Sequence, residues 1–220
     1  MARYYRQIDG LSEKETIDLI DGFMRKNCEM YNPVKWKGTI LKYVKGAKKY
    51  EMVQIDSIGI TQQELDTISS LGERRLRKLL FTLICLAKFY NKRSGTANDW
   101  VSTEYKDIFR MAHLFITQRV QTKLLSDLYN LGMISFGSKI TNLNIHVNVI
   151  DHENESIWLI DDFRDLGNEY VFRTEGMDLM RCESCGLVIR RNRNVQKYCP
   201  NCAKKIQAQQ KNQWRSNNCK

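Results

Sequence analysis

The stretch CESCGLVIRRNRNVQKYCPNC, residues 182–202, holds two C-x-x-C pairs separated by 13 residues. Each pair, Cys182 with Cys185 and Cys199 with Cys202, can offer two thiolates to one metal ion. Two such pairs that face each other across a short hairpin complete a tetrahedral four-sulfur zinc site. The spacer is slightly shorter than usual but long enough for a hairpin. The stretch therefore predicts a zinc ribbon with one structural Zn²⁺ ion.

The same four cysteines would also suit two disulfides in a secreted protein. Against this, the N-terminal sequence MARYYRQIDG lacks the apolar region of a signal peptide. The other three cysteines, Cys28, Cys85 and Cys219, are scattered along the chain. No apolar run reaches the length that crosses a membrane. We therefore expect a cytoplasmic protein with zinc rather than disulfides and with no membrane partner.

Basic charge is concentrated around the cysteine stretch. Residues 181–220 hold ten Lys or Arg and one acid, whereas residues 1–180 hold 25 basic and 24 acidic residues. Basic charge gathered on a folded module is typical of proteins that bind a phosphate backbone. The predicted nucleic-acid contacts of this module are Arg190, Arg191, Arg193, Lys197, Lys204, Lys205, Lys211 and Arg215. We expect the three arginines near the tip of a hairpin between the two cysteine pairs.

Residues 203–214 favour a helix but show no clear apolar face, so this helix is expected to be marginal alone and to become ordered on nucleic acid. Trp214 suits stacking on an unpaired base. Tyr198 does too, although its place beside Cys199 rather favours packing in the small zinc core.

Two helices are predicted near the N-terminus. Ser12 can cap the first, and Asn32-Pro33 begins the second. The second would carry an apolar stripe of Trp36, Ile40, Tyr43, Val44 and Ala47. No acid lies between positions 32 and 50. Core packing with a solvated lysine face is the favoured interpretation, and a second nucleic-acid contact or a partner-docking helix is the alternative.

Residues 76–90 are apolar on almost all sides of a predicted helix, so this helix must be buried and forms the centre of the main core. Before it, residues 52–60 are typical of a short strand or linker. Thr61 with Glu64 then forms a capping box that begins a helix.

Residues 98–150 follow a distinct order. A brief strand at Trp100-Val101 precedes a helix capped by Ser102 or Thr103 that runs to about Leu114. A second helix, capped by Thr117, ends at Gly132, because glycine adopts the left-handed conformation at low cost. An alternating strand follows, in which one face is formed by Leu143, Ile145, Val147 and Val149.

Helix, short strand, two helices and a two-stranded hairpin is the order of a winged helix. Residues 124–134, LLSDLYNLGMI, resemble the end of the recognition helix and the start of the wing in many bacterial and phage regulators. With the zinc ribbon, the chain resembles small winged-helix, zinc-ribbon proteins of Gram-positive phages and mobile elements.

The resemblance implies a mainly α fold with small β elements. Its parts would be an N-terminal helical extension (1–60), a winged-helix domain (61–150), an acidic, partly packed connector (151–178), and a zinc ribbon with a basic tail (179–220). The exposed face of the second helix would enter the major groove, and the wing would touch the backbone or minor groove. The implied contacts are Gln118, Arg119, Gln121, Thr122 and Lys123 on the helix and Lys139 in the wing. The alternative is that these are ordinary solvated positions.

We therefore expect a DNA-binding transcription regulator or replication factor of a phage or mobile element, with duplex DNA preferred. One alternative is a protein-interaction module that inhibits or redirects a host polymerase or another nucleic-acid enzyme, and another is an RNA-binding protein. A homodimer through the N-terminal helices is compatible with this fold. No enzyme is predicted, because the chain has no phosphate-binding GxxxxGK[ST], no G-x-S-x-G and no HExxH motif. A magnesium site at Asp161, Asp162 and Asp165 is the weaker alternative.

Overall fold

The computed structural model of the protein describes residues 1–49, 51–137, 144–176, 178–192 and 195–218. Within these residues the fold is mainly helical, with small antiparallel sheets. The chain divides into two compact units, Met1–Gln54 and Ile55–Lys220. No helix in the described part of the chain combines the length and the apolar character that crossing a membrane requires.

The first unit is helical. It contains α1 (Ala2–Gln7), α2 (Glu13–Asn27), α3 (Pro33–Lys45) and a 3₁₀ turn at Gly46–Lys48. The predicted caps of α2 and α3 are confirmed. Ser12 forms a capping box with Glu15, and the Asn32 side chain accepts hydrogen bonds from the first backbone N–H groups of α3.

The predicted apolar stripe of α3 is only partly buried. Ile40, Val44 and Ala47 are buried, whereas Trp36 and Tyr43 are 41% and 68% exposed. The stripe therefore has an inner part in the small core of this unit and an outer part at its surface.

The second unit is built around α5 (Arg74–Ser94). Every residue of this helix from Leu79 to Ala87 is buried, which confirms the predicted centre of the core. Before it, β1 (Ile58–Thr61) leads into α4 (Gln62–Ser69). The predicted capping box of Thr61 and Glu64 is confirmed.

The next elements are β2 (Trp100–Val101), α6 (Tyr105–Met111), α7 (Gln118–Asn130), β3 (Ile134–Phe136) and β4 (Ile145–Val147). The three strands form an antiparallel sheet in the order β2-β4-β3. Ile145 and Val147 face the core as predicted, while Leu143 lies outside the described residues.

Two predicted caps in this region are wrong. Glu104, rather than Ser102 or Thr103, precedes α6, and the helix ends at Met111 rather than near Leu114. Thr117 does precede α7, but its side chain makes no capping hydrogen bond. The predicted stop at Gly132 is confirmed by its φ of 72°, since glycine adopts this left-handed conformation without strain.

The remaining elements pack back onto this core. Strand β5 (Ser156–Ile160) pairs antiparallel with β1, and α8 (Leu166–Thr174) packs on α5. Both lie in the segment that the sequence marks as an acidic, partly packed connector. The chain then forms the hairpin of β6 (Leu179–Arg181) and β7 (Val188–Arg190), followed by α9 (Pro200–Asn218).

Gly167→Ala tests the contact between α8 and the end of α6. A Cβ atom at Gly167 would overlap the backbone carbonyl of Ala112, so the helices would have to separate. We expect the free energy of unfolding, measured by urea denaturation, to fall by about 3 kcal/mol. Gly72→Ala is the matched control, because a Cβ atom at that position would meet no other group within 4 Å. Equal unfolding free energies for both variants would contradict this packing.

Candidate functional site

The four predicted metal ligands lie together. The Sγ atoms of Cys182, Cys185, Cys199 and Cys202 are all within 4.8 Å of one another. Cys182 and Cys199 are buried, so two of the sulfurs are shielded from water. Four thiols at this spacing can hold one metal ion.

The first cysteine pair forms the turn of the β6–β7 hairpin. The Cys182 N–H donates to the Leu187 carbonyl, and the Gly186 N–H donates to the Cys182 carbonyl, both at 2.9 Å. Gly186 has a φ of 73°, which lets the chain reverse tightly around the metal position. The second pair begins α9, where the Ala203 N–H donates to the Cys199 carbonyl at 2.9 Å.

The predicted arrangement of the hairpin is therefore wrong in one respect. Its partner strand lies before the first cysteine pair, not between the two pairs. Arg190 pairs with Leu179, and the Arg191 N–H donates to the Asp178 carbonyl, so these arginines lie at the open end of the hairpin rather than at its tip. Arg193 lies outside the described residues.

The thiols differ in their affinity for protons. Burial raises the pKa of Cys182, but backbone N–H groups, led by that of Cys199 at 3.2 Å from the sulfur, lower it to about 6. The Ser184 hydroxyl lowers the pKa of Cys202, but the sulfurs of Cys199 and Cys185 raise it to about 11. Four negative thiolates so close together repel one another. A bound cation relieves this repulsion, and its binding displaces the remaining protons.

The cysteine module, residues 179–218, is fixed to the core by the acidic segment. Arg181 and Arg173 both donate to the same Glu169 carboxylate oxygen at 2.6 Å. Arg164 donates to the Cys185 carbonyl at 2.6 Å while its guanidinium also pairs with Asp162. Several acids of the segment are thus used as internal counter-charges.

The predicted basic residues of α9 form a stripe. At 3.6 residues per turn, Lys204, Lys211 and Arg215 lie within about 40° of one another. This stripe lies on the opposite side of the helix from Cys202 and Ile206, which are half-buried. Lys205 lies outside the stripe, about 100° around the helix from Lys204. The other predicted cations, Lys197, Arg190 and Arg191, are exposed on the rest of the module.

The two predicted stacking residues differ in exposure. Tyr198 is half-buried beside the cysteine cluster, and Trp214 is 65% exposed on α9. After Glu183 the sequence contains no further acid. An exposed acid-free helix of this kind presents a positive surface along its whole length.

Helix α7 exposes most of its predicted contacts. Gln118, Arg119, Thr122 and Lys123 are exposed, whereas Leu124, Leu125 and Leu128 of the same helix are buried. Gln121 differs, because it is half-buried and its Nε2 donates to the Ile116 carbonyl at 3.2 Å. Lys139, the predicted contact in the wing, lies outside the described residues.

Two further surfaces could bind a ligand or a partner, and only the second was anticipated from the sequence, as the partner-docking alternative for α3. One is a basic cleft at the start of α5, where the run RRLRK at residues 74–78 was the available signal. The other is an apolar groove of about 600 Å³ in the first unit. It is lined by the apolar residues Ile20, Met24 and Trp36 and by the basic residue Lys42.

Comparison of the chain with protein-family models, with curated protein sequences and with solved structures finds no match. The assignment of chemistry to these sites therefore depends on their own geometry.

Cys199→Ser tests the metal centre. We expect the variant to lose its bound metal and the cysteine module to lose protection from hydrogen exchange, while α5 stays protected. A structural zinc ion contributes on the order of 10 kcal/mol to a module with so small a core. Metal content by mass spectrometry and exchange by segment are the two measurements. Cys28→Ser is the control, and a module that stays protected in Cys199→Ser under chelation would refute the site.

Proposed function

We propose that this protein is a zinc-containing protein that binds duplex DNA. In this proposal a winged helix from α5 to β4 reads the major groove, and the basic helix α9 contacts backbone phosphates. The observation that carries the proposal is the exposed face of α7, which presents Gln118, Arg119, Thr122 and Lys123 and no acid before Asp127.

The order and packing of the elements support the winged helix. Helix α7 follows α6 after a turn at residues 112–117, and the sheet β2-β4-β3 closes the unit beside them. The turn is longer than the three or four residues usual in a helix-turn-helix. It is held by Lys78, whose Nζ donates to the His113 carbonyl at 3.1 Å.

The side chains on α7 suit a duplex. Arginine and glutamine form paired hydrogen bonds with guanine and adenine edges in the major groove. Threonine and lysine suit phosphate contacts, which set the position of the helix without reading sequence. A face that has both kinds of group and no acid before Asp127 fits a DNA-reading helix better than a surface that only keeps the protein in solution.

Zinc is the metal that fits the four cysteines best. Four thiolates form a closed tetrahedral site, which is typical of structural zinc. The residues would hold the ion and fix the first turn of α9 to the cysteine cluster through Cys202, so the basic stripe would meet DNA as an ordered array.

The biological role that we propose is transcription regulation or replication in the cytoplasm of a host carrying a phage or mobile element. The support for this part is the resemblance of residues 124–134 to the helix and wing of such regulators.

A selection experiment tests sequence reading by α7. The zinc-loaded protein is incubated with a random duplex pool, and an enriched motif is expected. Arg119→Ala and Gln118→Ala should then each weaken binding to that motif by about 1–3 kcal/mol while changing random-duplex binding less. Arg93→Ala, an exposed arginine at the far end of α5, is the control. Equal losses on all sequences would exclude base reading by these residues.

The salt dependence of binding tests the stripe on α9. Replacing Lys204, Lys211 and Arg215 by alanine should lower the slope of log affinity against log salt by about 2.7, since each phosphate contact contributes about 0.9. The control variant replaces the exposed residues Lys14, Lys26 and Arg93 and changes the net charge equally. An unchanged slope in the α9 variant would exclude these residues as phosphate contacts.

A protein partner is the second candidate, because the first unit exposes its apolar groove. Arg3, Lys42 and Lys49 also line the groove, and the sequence has no acid between positions 32 and 49. An apolar groove with basic residues in its lining fits an acidic amphipathic helix of a partner, such as a host polymerase. Selective enrichment of structured RNA over duplex DNA would instead favour an RNA target.

A further inference from the structure

A cleft of about 380 Å³ lies between the start of α5, the turn before α7 and the end of β7. Four of its lining side chains are basic, namely Arg74, Arg75, Lys78 and Arg190. Asp178 is the only acid among the described residues that line it. The cleft therefore gathers positive charge from two separate parts of the chain, the start of α5 and the end of β7.

The acids near the cleft balance only part of this charge. Arg74 pairs with Glu175 at 2.8 Å, whereas Arg75 reaches an acid, Glu73, only at 3.9 Å. Within the described part of the chain, Arg190 forms no ion pair. At least two guanidinium groups thus keep most of their hydrogen-bonding capacity for a ligand.

Lys78 adds a buried charge at the base of the cleft. Lys78 is only 9% exposed, and its Nζ donates a hydrogen bond to the uncharged backbone carbonyl of His113. The nearby Asp165 carboxylate is already hydrogen-bonded to His113 Nδ1 at 2.8 Å and to the side-chain amide of Asn168. The positive charge of the buried Lys78 ammonium is therefore only partly balanced, because its one hydrogen-bond acceptor is neutral and Asp165 also bonds other groups. An anion in the cleft would stabilise this charge.

We infer that this cleft binds a phosphate group. Guanidinium groups form paired, charge-assisted hydrogen bonds with phosphate oxygens, and a lysine adds a point charge. In the DNA complex we assign this phosphate to the duplex backbone, and that assignment rests on the proposed function.

The position of the cleft supports the backbone assignment. His113 and Leu114 line it, and the chain reaches Thr117 and the start of α7 directly afterwards. Arg190 belongs to the cysteine module that carries α9. A DNA strand that passes from α7 to α9 would therefore cross the cleft, which extends the basic surface between them.

The first arm of the test measures duplex binding by Arg75→Ala/Arg190→Ala across a range of salt. We expect affinity to fall at least about tenfold at fixed salt and the salt slope to fall by about one to two. Arg93→Ala/Lys26→Ala removes the same charge elsewhere and should change both values little. Arg74 and Lys78 are left intact because each makes a contact within the fold.

The second arm uses inorganic pyrophosphate as the probe and does not depend on DNA. Backbone amide signals of Arg75, Lys78 and Arg190 should shift with pyrophosphate in the NMR spectrum of the wild-type protein. In Arg75→Ala/Arg190→Ala, the amide signals of positions 75, 78 and 190 should not shift with pyrophosphate. Arg93→Ala/Lys26→Ala should respond like the wild type.

The two arms separate the inference from the proposed function. Cleft shifts together with the lower salt slope support both the phosphate site and the backbone assignment. Cleft shifts with unchanged duplex binding overturn the backbone assignment and indicate a free phosphate ligand. No shifts and an unchanged slope overturn the site. If the wild type binds no duplex at all, the proposed function fails, and the pyrophosphate arm alone decides whether the cleft binds phosphate.

Discussion

Helix α5 must be covered on nearly every side, and the rest of the second unit depends on this constraint. The helix contacts strands β1, β2 and β4 and helices α4, α6, α7 and α8. Because its buried residues surround the helix axis, no single neighbouring layer could remove them all from water. The elements before and after it in sequence are therefore arranged around one helix. This places the start of α7 and the anchor of the cysteine module at the same end of the core.

A buried ion pair fixes how these elements meet. The Glu64 carboxylate is fully buried and accepts hydrogen bonds from Lys88 at 2.7 Å and from the N–H groups of Thr61 and Asp151 at 3.0 Å. Lys88 also donates to the Gly59 carbonyl. A buried charge with all of its partners in place favours one arrangement, because any slip would leave it unpaired. It thereby joins β1, α4 and α5 to the turn that leads into β5.

The features predicted from the sequence are those encoded locally. The capping boxes at Ser12 and Thr61, the apolar helix α5 and the four cysteines each depend on residues close together in the chain. The partner of β7 was missed because β6 precedes the first cysteine pair and its three residues, Leu179–Arg181, have no clear alternation. The cleft was missed because its charges come from α5 and from β7, and no periodicity relates segments so far apart.

The acidic segment explains how a protein of this charge distribution can present positive surfaces for binding. Glu169 pairs with Arg173 and Arg181, and Asp162 pairs with Arg164. These contacts turn carboxylates toward the fold, where they hold the cysteine module in place. The cations of α9 have no acid in their own sequence neighbourhood, so their field is not cancelled. If Glu169 and Asp162 were exposed, they would repel a phosphate backbone. Instead they bind Arg164 and Arg173 of the acidic segment and Arg181 of the cysteine module, and these ion pairs orient the basic module.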